Sequence, residues 1–143
     1  MTSEFSVAVH ALVYLYHKGT TVSSEALSKN ICTHPVRVRH VMSKLKKAFI
    51  VTTKEGADGG YRLTKDAAML SLRQIADVLD IQFVSCGWKS GDIDADCLVS
   101  SGMAGILEQI YQSLNQACSN ELEQMTIAGI EQQLFQKKHT NQV

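Results

Sequence analysis

The sequence predicts a mainly α-helical fold with one small β-hairpin, and three observations predict it. Apolar residues recur at three- and four-residue steps through much of the 143-residue chain. One helix-sized segment opens on the chain's single proline and carries a dense set of cations. A β-branched run and a glycine-rich turn follow it directly.

The elements can be justified in order. Val7-Ala8-Val9-His10-Ala11-Leu12-Val13-Tyr14-Leu15 is an apolar run of core-helix length. Ser23 or Ser24 caps a second helix through Glu25, Ala26, Leu27 and Ile31, because a hydroxyl there satisfies amides that the first turn leaves unpaired. Cys32-Thr33-His34 forms a turn, and Pro35 begins the third helix, where its fixed φ is suitable and its missing N–H is not needed. Val38, Val41, Met42, Leu45 and Ala48 make the buried stripe of that helix, leaving Arg37, Arg39, His40, Ser43, Lys44, Lys46 and Lys47 outside. Ile50-Val51-Thr52-Thr53 is strand-like, Gly56 and Gly59-Gly60 allow a tight turn, and Tyr61-Arg62-Leu63 supplies the return strand.

Helix, turn, cationic helix and glycine hairpin in that order are the layout of a winged helix-turn-helix, which implies a duplex DNA partner. Pro35, Val36, Arg37, Arg39, His40, Ser43, Lys44 and Lys47 on the third helix and Gly59, Gly60, Tyr61 and Arg62 on the wing are the candidate DNA-binding residues. Arg37 or Arg39 can fork onto a guanine edge, with His40 beside them; Lys44 and Lys47 suit phosphates, and Arg62 suits the adjacent minor groove. Charge supports the assignment. The chain is neutral overall, yet residues 1–65 hold ten Lys and Arg against four Asp and Glu, and the remainder is correspondingly acidic. A cationic end suits a polyanion, with the acidic remainder held away from it.

Leu70 to Asp80 reads as a short amphipathic helix, followed by a loop from Ile81 to Asp96 that contains Cys86, Gly87, Trp88 and Gly91. Leu98, Met103, Ile106, Leu107, Ile110, Leu114, Ala117, Cys118, Leu122 and Met125 then keep helical spacing over about 40 Å at 1.5 Å per residue. A helix of that length overhangs so small a domain, and its stripe is expected to meet the same helix of a second subunit in a homodimer. Thr126 caps a last helix with Ile127, Ile130, Leu134 and Phe135, before a frayed tail from Lys137 to Val143. The expected divisions are a DNA-binding domain at 1–80, a sensor loop at 81–97 and a dimerisation region at 98–143.

No apolar run is long enough to span a membrane, and the first helix lacks a basic leader, so a cytoplasmic protein without membrane contact is expected. In that reducing compartment four cysteines point to packing, metal binding or redox sensing rather than standing disulfides. The histidines are scattered, and neither a nucleotide loop nor a nucleophile with an oriented base is legible, which argues against an enzyme.

The leading apolar helix, Ser23-Ser24-Glu25-Ala26-Leu27, His34-Pro35-Val36-Arg37-Val38-Arg39, Leu45-Lys46-Lys47-Ala48, Gly59-Gly60-Tyr61-Arg62-Leu63 and Ser71-Leu72-Arg73-Gln74-Ile75 together resemble the Rrf2 family of bacterial winged helix-turn-helix regulators over nearly the whole chain. Members that hold an iron-sulfur cluster use three cysteines before the long helix. Here Cys86 and Cys97 are followed by Ser101, Gly102 and Met103, so the resemblance implies no cofactor, with a cluster-sensing regulator as the alternative. The chain is more similar to a thiol-based subgroup that senses hypochlorous acid or electrophiles. That similarity implies repression relieved when Cys32 of one subunit joins Cys97 of the other; Cys86, in a polar loop beside Trp88, is a further candidate, and Cys118, on a helix stripe, reads as a packing residue. Cys32, near His34 and a helix N-terminus, is expected to be attacked first; Asp94 and Asp96 are expected to raise the Cys97 thiol. Control through a partner protein, as in a cysteine-metabolism regulator of the family, is the other alternative.

Overall fold

The computed structural model describes residues 3–64 and 66–140, except for the side chains of Ala67 and of 137–140. The chain order is α1 (Ser3–Lys18), α2 (Ser24–Ile31), α3 (Pro35–Lys47), β1 (Val51–Lys54), β2 (Gly60–Leu63), a short 3-10 turn (Ala67–Met69), α4 (Leu72–Val78), α5 (Leu98–Glu123) and α6 (Ile127–Thr140). The fold is mainly α with a two-stranded antiparallel wing and a long C-terminal helix, the class that the sequence predicts.

One core gathers the apolar faces of the first half. Ala8, Ala11 and Leu12 of α1, Leu27 of α2, Val38, Val41, Met42 and Leu45 of α3, Leu70, and Ile75 of α4 are all fully buried. The stripe expected on α3 is therefore the buried one, although Ala48 at its end is only half-buried. Ile127 of α6 is also fully buried in this core. Backbone bonds from Leu72 to Met125 and from Ile127 to Leu70 tie the start of α6 to the start of α4.

Local chemistry sets the helix ends. Ser23 caps α2 by accepting the Ala26 amide at 3.1 Å, and Ser71 and Gln74 cap α4 reciprocally. Thr126 caps α6 by accepting the Gly129 amide at 3.0 Å. α4 is shorter than the segment expected from Leu70 to Asp80, because Ser71 takes the cap position. The expected tail begins too early: the backbone stays helical to Thr140, while 141–143 lie outside the described residues.

The wing pairs Val51 with Leu63 through to Lys54 with Gly60. A third segment joins it, since Val22 and Tyr61 exchange backbone hydrogen bonds of 2.9 and 2.8 Å. This closeness explains Gly60: a Cβ there would lie 2.2 Å from the Val22 carbonyl oxygen. The wing is thereby fastened to the loop in front of α2, which fixes its position relative to α3.

Candidate nucleic-acid interface

The turn between α2 and α3 is closed without glycine. Cys32 adopts a left-handed φ of 61°, and the Thr33 amide reaches back to Ser28 at 3.1 Å, a six-residue closure that usually has glycine at this place. His34 then caps α3, its Nδ1 accepting the Val36 amide at 3.2 Å, with Pro35 in the first turn as expected. The end of α3 repeats the closure. Phe49 has φ 59°, with Phe49 N–H bonded to Lys46 and Ile50 N–H to Leu45, both at 3.0 Å.

These two turns frame a helix with three surfaces. Opposite the buried stripe, Val36, Ser43 and Lys47 form an exposed crest. Arg39 lies on the flank toward the wing, close enough to Tyr61 for its charge to oppose the upward shift that burial gives the tyrosine hydroxyl. The other flank faces the first turn of α1. There Arg37 donates to the Ser3 hydroxyl, Lys44 Nζ donates to Glu4 at 2.9 Å, and His40 Nε2 lies 3.1 Å from the other Glu4 oxygen. Lys44, with its hydrogen bond and its charge, holds the Glu4 carboxyl below the usual carboxylate range against partial desolvation.

The candidate DNA-binding residues thus form two groups. Val36, Arg39, Ser43 and Lys47 are open to solvent, and Arg62 is exposed on β2 with Gly59, Gly60 and half-buried Tyr61 beside it. Arg37, His40 and Lys44 are on the surface yet engaged by α1. Sequence reasoning missed this second arrangement and the role of Glu4. The contact spans 36 to 40 positions, and only an acidic residue in the first turn of an apolar helix signals it.

The cysteines occupy separate places. Cys32 is exposed in its turn and its thiol donates to the Lys29 carbonyl at 3.5 Å. Cys97 is exposed at the N-cap of α5. No side-chain hydrogen bond of strict geometry forms there, but the Ser100 and then the Val99 amide act on the sulfur and lower its pKa. This reverses the expectation from Asp94 and Asp96: the amides at the open helix end set the direction, and neither aspartate is among its causes. Cys86 is exposed in the loop, and Cys118 is half-buried rather than packed inside.

The loop itself is pinned at two points. Asn115 of α5 accepts the Phe83 and Val84 amides at 2.9 Å and donates to the Val84 carbonyl at 2.7 Å. Gly91 sits where a Cβ would meet the Ser100 carbonyl at 2.1 Å, and the next amide, of Asp92, bonds the Ser100 hydroxyl. The intervening span, with Cys86 and Trp88, covers a cavity of about 770 Å³ against Ala104, Gly105 and Tyr111. Among the described residues no three His, Cys, Asp or Glu side chains gather as a metal site would require. No described helix is long and apolar enough to cross a membrane.

A family described as "Rrf2: Iron-dependent Transcriptional regulator" matches residues 1–133. YwnA of Bacillus subtilis, described as an HTH-type transcriptional regulator, is 30% identical over 135 residues, covering 94% of this chain and 99% of its own. A transcriptional regulator from Lactobacillus plantarum superposes with a TM-score of 0.81 at 25% identity, each chain fully covered. IscR of T. potens shares the fold at TM-score 0.69 and 16% identity, over 94% of this chain and 87% of its own.

Proposed function

The chain belongs to the Rrf2 family of transcriptional regulators, and from that premise we propose that it is a homodimeric, oxidant-sensing repressor whose paired α3 helices read an operator. The crest of α3, together with Arg39 on the flank toward the wing, supplies the base contacts. In this reading exposed Arg39 forks onto a guanine, Val36 meets a thymine methyl and Ser43 bonds a base edge, each good pair contributing roughly 1–3 kcal/mol of discrimination. Lys47 holds phosphate, and Arg62 enters the minor groove from the wing. Arg37, an equal candidate in sequence, is a flank residue directed to Ser3.

The signal acts on Cys97 and Cys32. One observation carries this reading: both thiols are exposed, and Cys97 stands at the open N-terminus of a helix that has no buried residue of its own. As the thiolate favoured by its surroundings, Cys97 attacks first. With hypochlorous acid its sulfur takes the chlorine and hydroxide leaves. The thiolate of Cys32 in the other subunit then displaces chloride, forming the disulfide and re-spacing the α3 helices. Among the described residues of one chain no three His, Cys, Asp or Glu side chains gather, which does not fit an iron-sulfur cluster.

The test is gel electrophoresis without reductant, before and after mild hypochlorite or diamide. The expected result is a dimer band that dithiothreitol removes and that Cys97→Ser and Cys32→Ser each abolish, with operator release in parallel. A crosslink that survives in Cys32→Ser, or oxidation that leaves DNA binding intact, defeats the pairing.

A further inference from the structure

α3 presents two flanks to a duplex lying along it, and they differ in charge. The flank toward the wing keeps Arg39 and Lys46 exposed. The flank toward α1 has Arg37, His40 and Lys44 one helical turn apart, and all three are met by Ser3 and Glu4. Each Glu4 oxygen takes a different partner, at 2.9 Å to Lys44 Nζ and 3.1 Å to His40 Nε2. A phosphate approaching that side encounters a carboxylate already occupying the donors it would use, and must displace an anion held at contact distance.

We propose that Glu4 is a specificity-determining residue for DNA, a built-in counter-charge that keeps Lys44 and His40 off the phosphate backbone and so makes binding depend on the crest of α3 and on Arg39 beside it. This rests on the reading of α3 as the groove-entering helix. Non-specific complexes are held almost wholly by cation–phosphate contacts and counterion release. Withdrawing a lysine from that pool weakens them in proportion. A specific complex keeps its base contacts from Arg39, Val36 and Ser43, and loses less. The same carboxylate fixes the side chains of His40 and Lys44 in one orientation along the flank.

The experiment measures fluorescence anisotropy of the full chain on two probes: sheared mixed-sequence genomic DNA, and a duplex enriched by the unmodified protein from a random-sequence library. Glu4→Gln is expected to tighten mixed-sequence binding about three- to tenfold at low salt and to steepen the dependence of log K on log salt by roughly one phosphate's worth, about 0.9. The enriched duplex should change less than about twofold, so the ratio between the probes falls. Equal changes on both probes, or none, overturn the proposal. Should Glu4→Gln fold poorly in a thermal melt, Glu4→Asp replaces it as the background for a cycle with Lys44→Gln. Removing Lys44 should cost little while Glu4 holds it and several-fold once that hold is loosened; an equal cost in both backgrounds also overturns the proposal. If Arg39→Ala and Lys47→Ala leave both probes unaffected, the groove assignment of α3 has failed instead.

Discussion

The region from α1 to β2 and the helix α5 are built from similar proportions of apolar residues, yet they end in opposite states. In the first, the apolar faces of three helices close on one another, and Val38, Val41, Met42 and Leu45 of α3 are wholly buried. Its polar connections are also made inside the chain, by the Ser23 and His34 caps, the Val22–Tyr61 bridge and the Glu4 ties. α5 has 26 residues and none is buried. Leu98 is 86% exposed, and Ile106, Ile110 and Leu114 are about half-exposed along one stripe. The first region is complete as a single chain. The second keeps an extended apolar stripe in water, which a monomer does not usually do, and the proposed homodimer would cover it.

The largest effect on this contrast should come from the closed side. Leu45 of α3 is fully buried in the core, so Leu45→Ala should cost about 2–5 kcal/mol, the lost transfer energy plus a cavity, read as a fall in denaturant midpoint. A loss below about 1 kcal/mol would show that the core is looser than its burial implies.

The open side should respond differently. Ile110→Asp adds charge to a side chain already 46% exposed, so the chain's own core is untouched. If the stripe is covered by a second copy, the dimer should weaken by roughly 2 kcal/mol or more, about thirtyfold in Kd by sedimentation. An unchanged sedimentation profile would remove the dimer from the proposed mechanism.

Much of this contrast was legible in the sequence because it depends on local rules. Three- and four-residue spacing identified the buried face of α3, Pro35 its start, the glycine hairpin the wing, and the same spacing the overlong stripe of α5. What escaped was non-local or against type. Asn115 clamps a loop 31 and 32 positions away, Glu4 meets α3 across 36 and 40, and neither leaves a periodic trace. Cys32, Phe49 and Asp80 occupy left-handed turn positions where glycine would have been the readable signal. The chemistry of Cys97 was misread because nearby aspartates are visible in a sequence, whereas the direction of amides at a helix end is not.

Phe49 offers a smaller, local test on the closed side. Its ring is 84% exposed and its φ is 59°, so it gains little burial while adopting a conformation that costs a side-chain-bearing residue about 1–2 kcal/mol. Phe49→Gly should therefore stabilise the fold by roughly 0.5–1 kcal/mol, the greater freedom of glycine in the unfolded chain offsetting part of the relief. A lower melting temperature would mean that the exposed ring makes contacts that its solvent exposure conceals.

The smallest effect should come from Glu4, where the closed region's polar wiring meets its outer surface. Its carboxyl is held below the ordinary value of 4.5, chiefly by the hydrogen bond from Lys44. A carboxylate with a lowered pKa in the folded state stabilises the fold above its unfolded pKa, and loses that contribution as the pH falls through the folded one. The wild type should thus exceed Glu4→Gln in stability near neutral pH by less than about 1 kcal/mol, as partly exposed pairs do. The two should converge as acid titrates the pair below pH 4.5. Salt should also narrow the gap, because the pair is open to screening. A gap that persists unchanged in acid would assign Glu4 to packing rather than charge. It would also remove the electrostatic basis for its effect on DNA, since a carboxylate that does not hold Lys44 by charge cannot withhold it from phosphate.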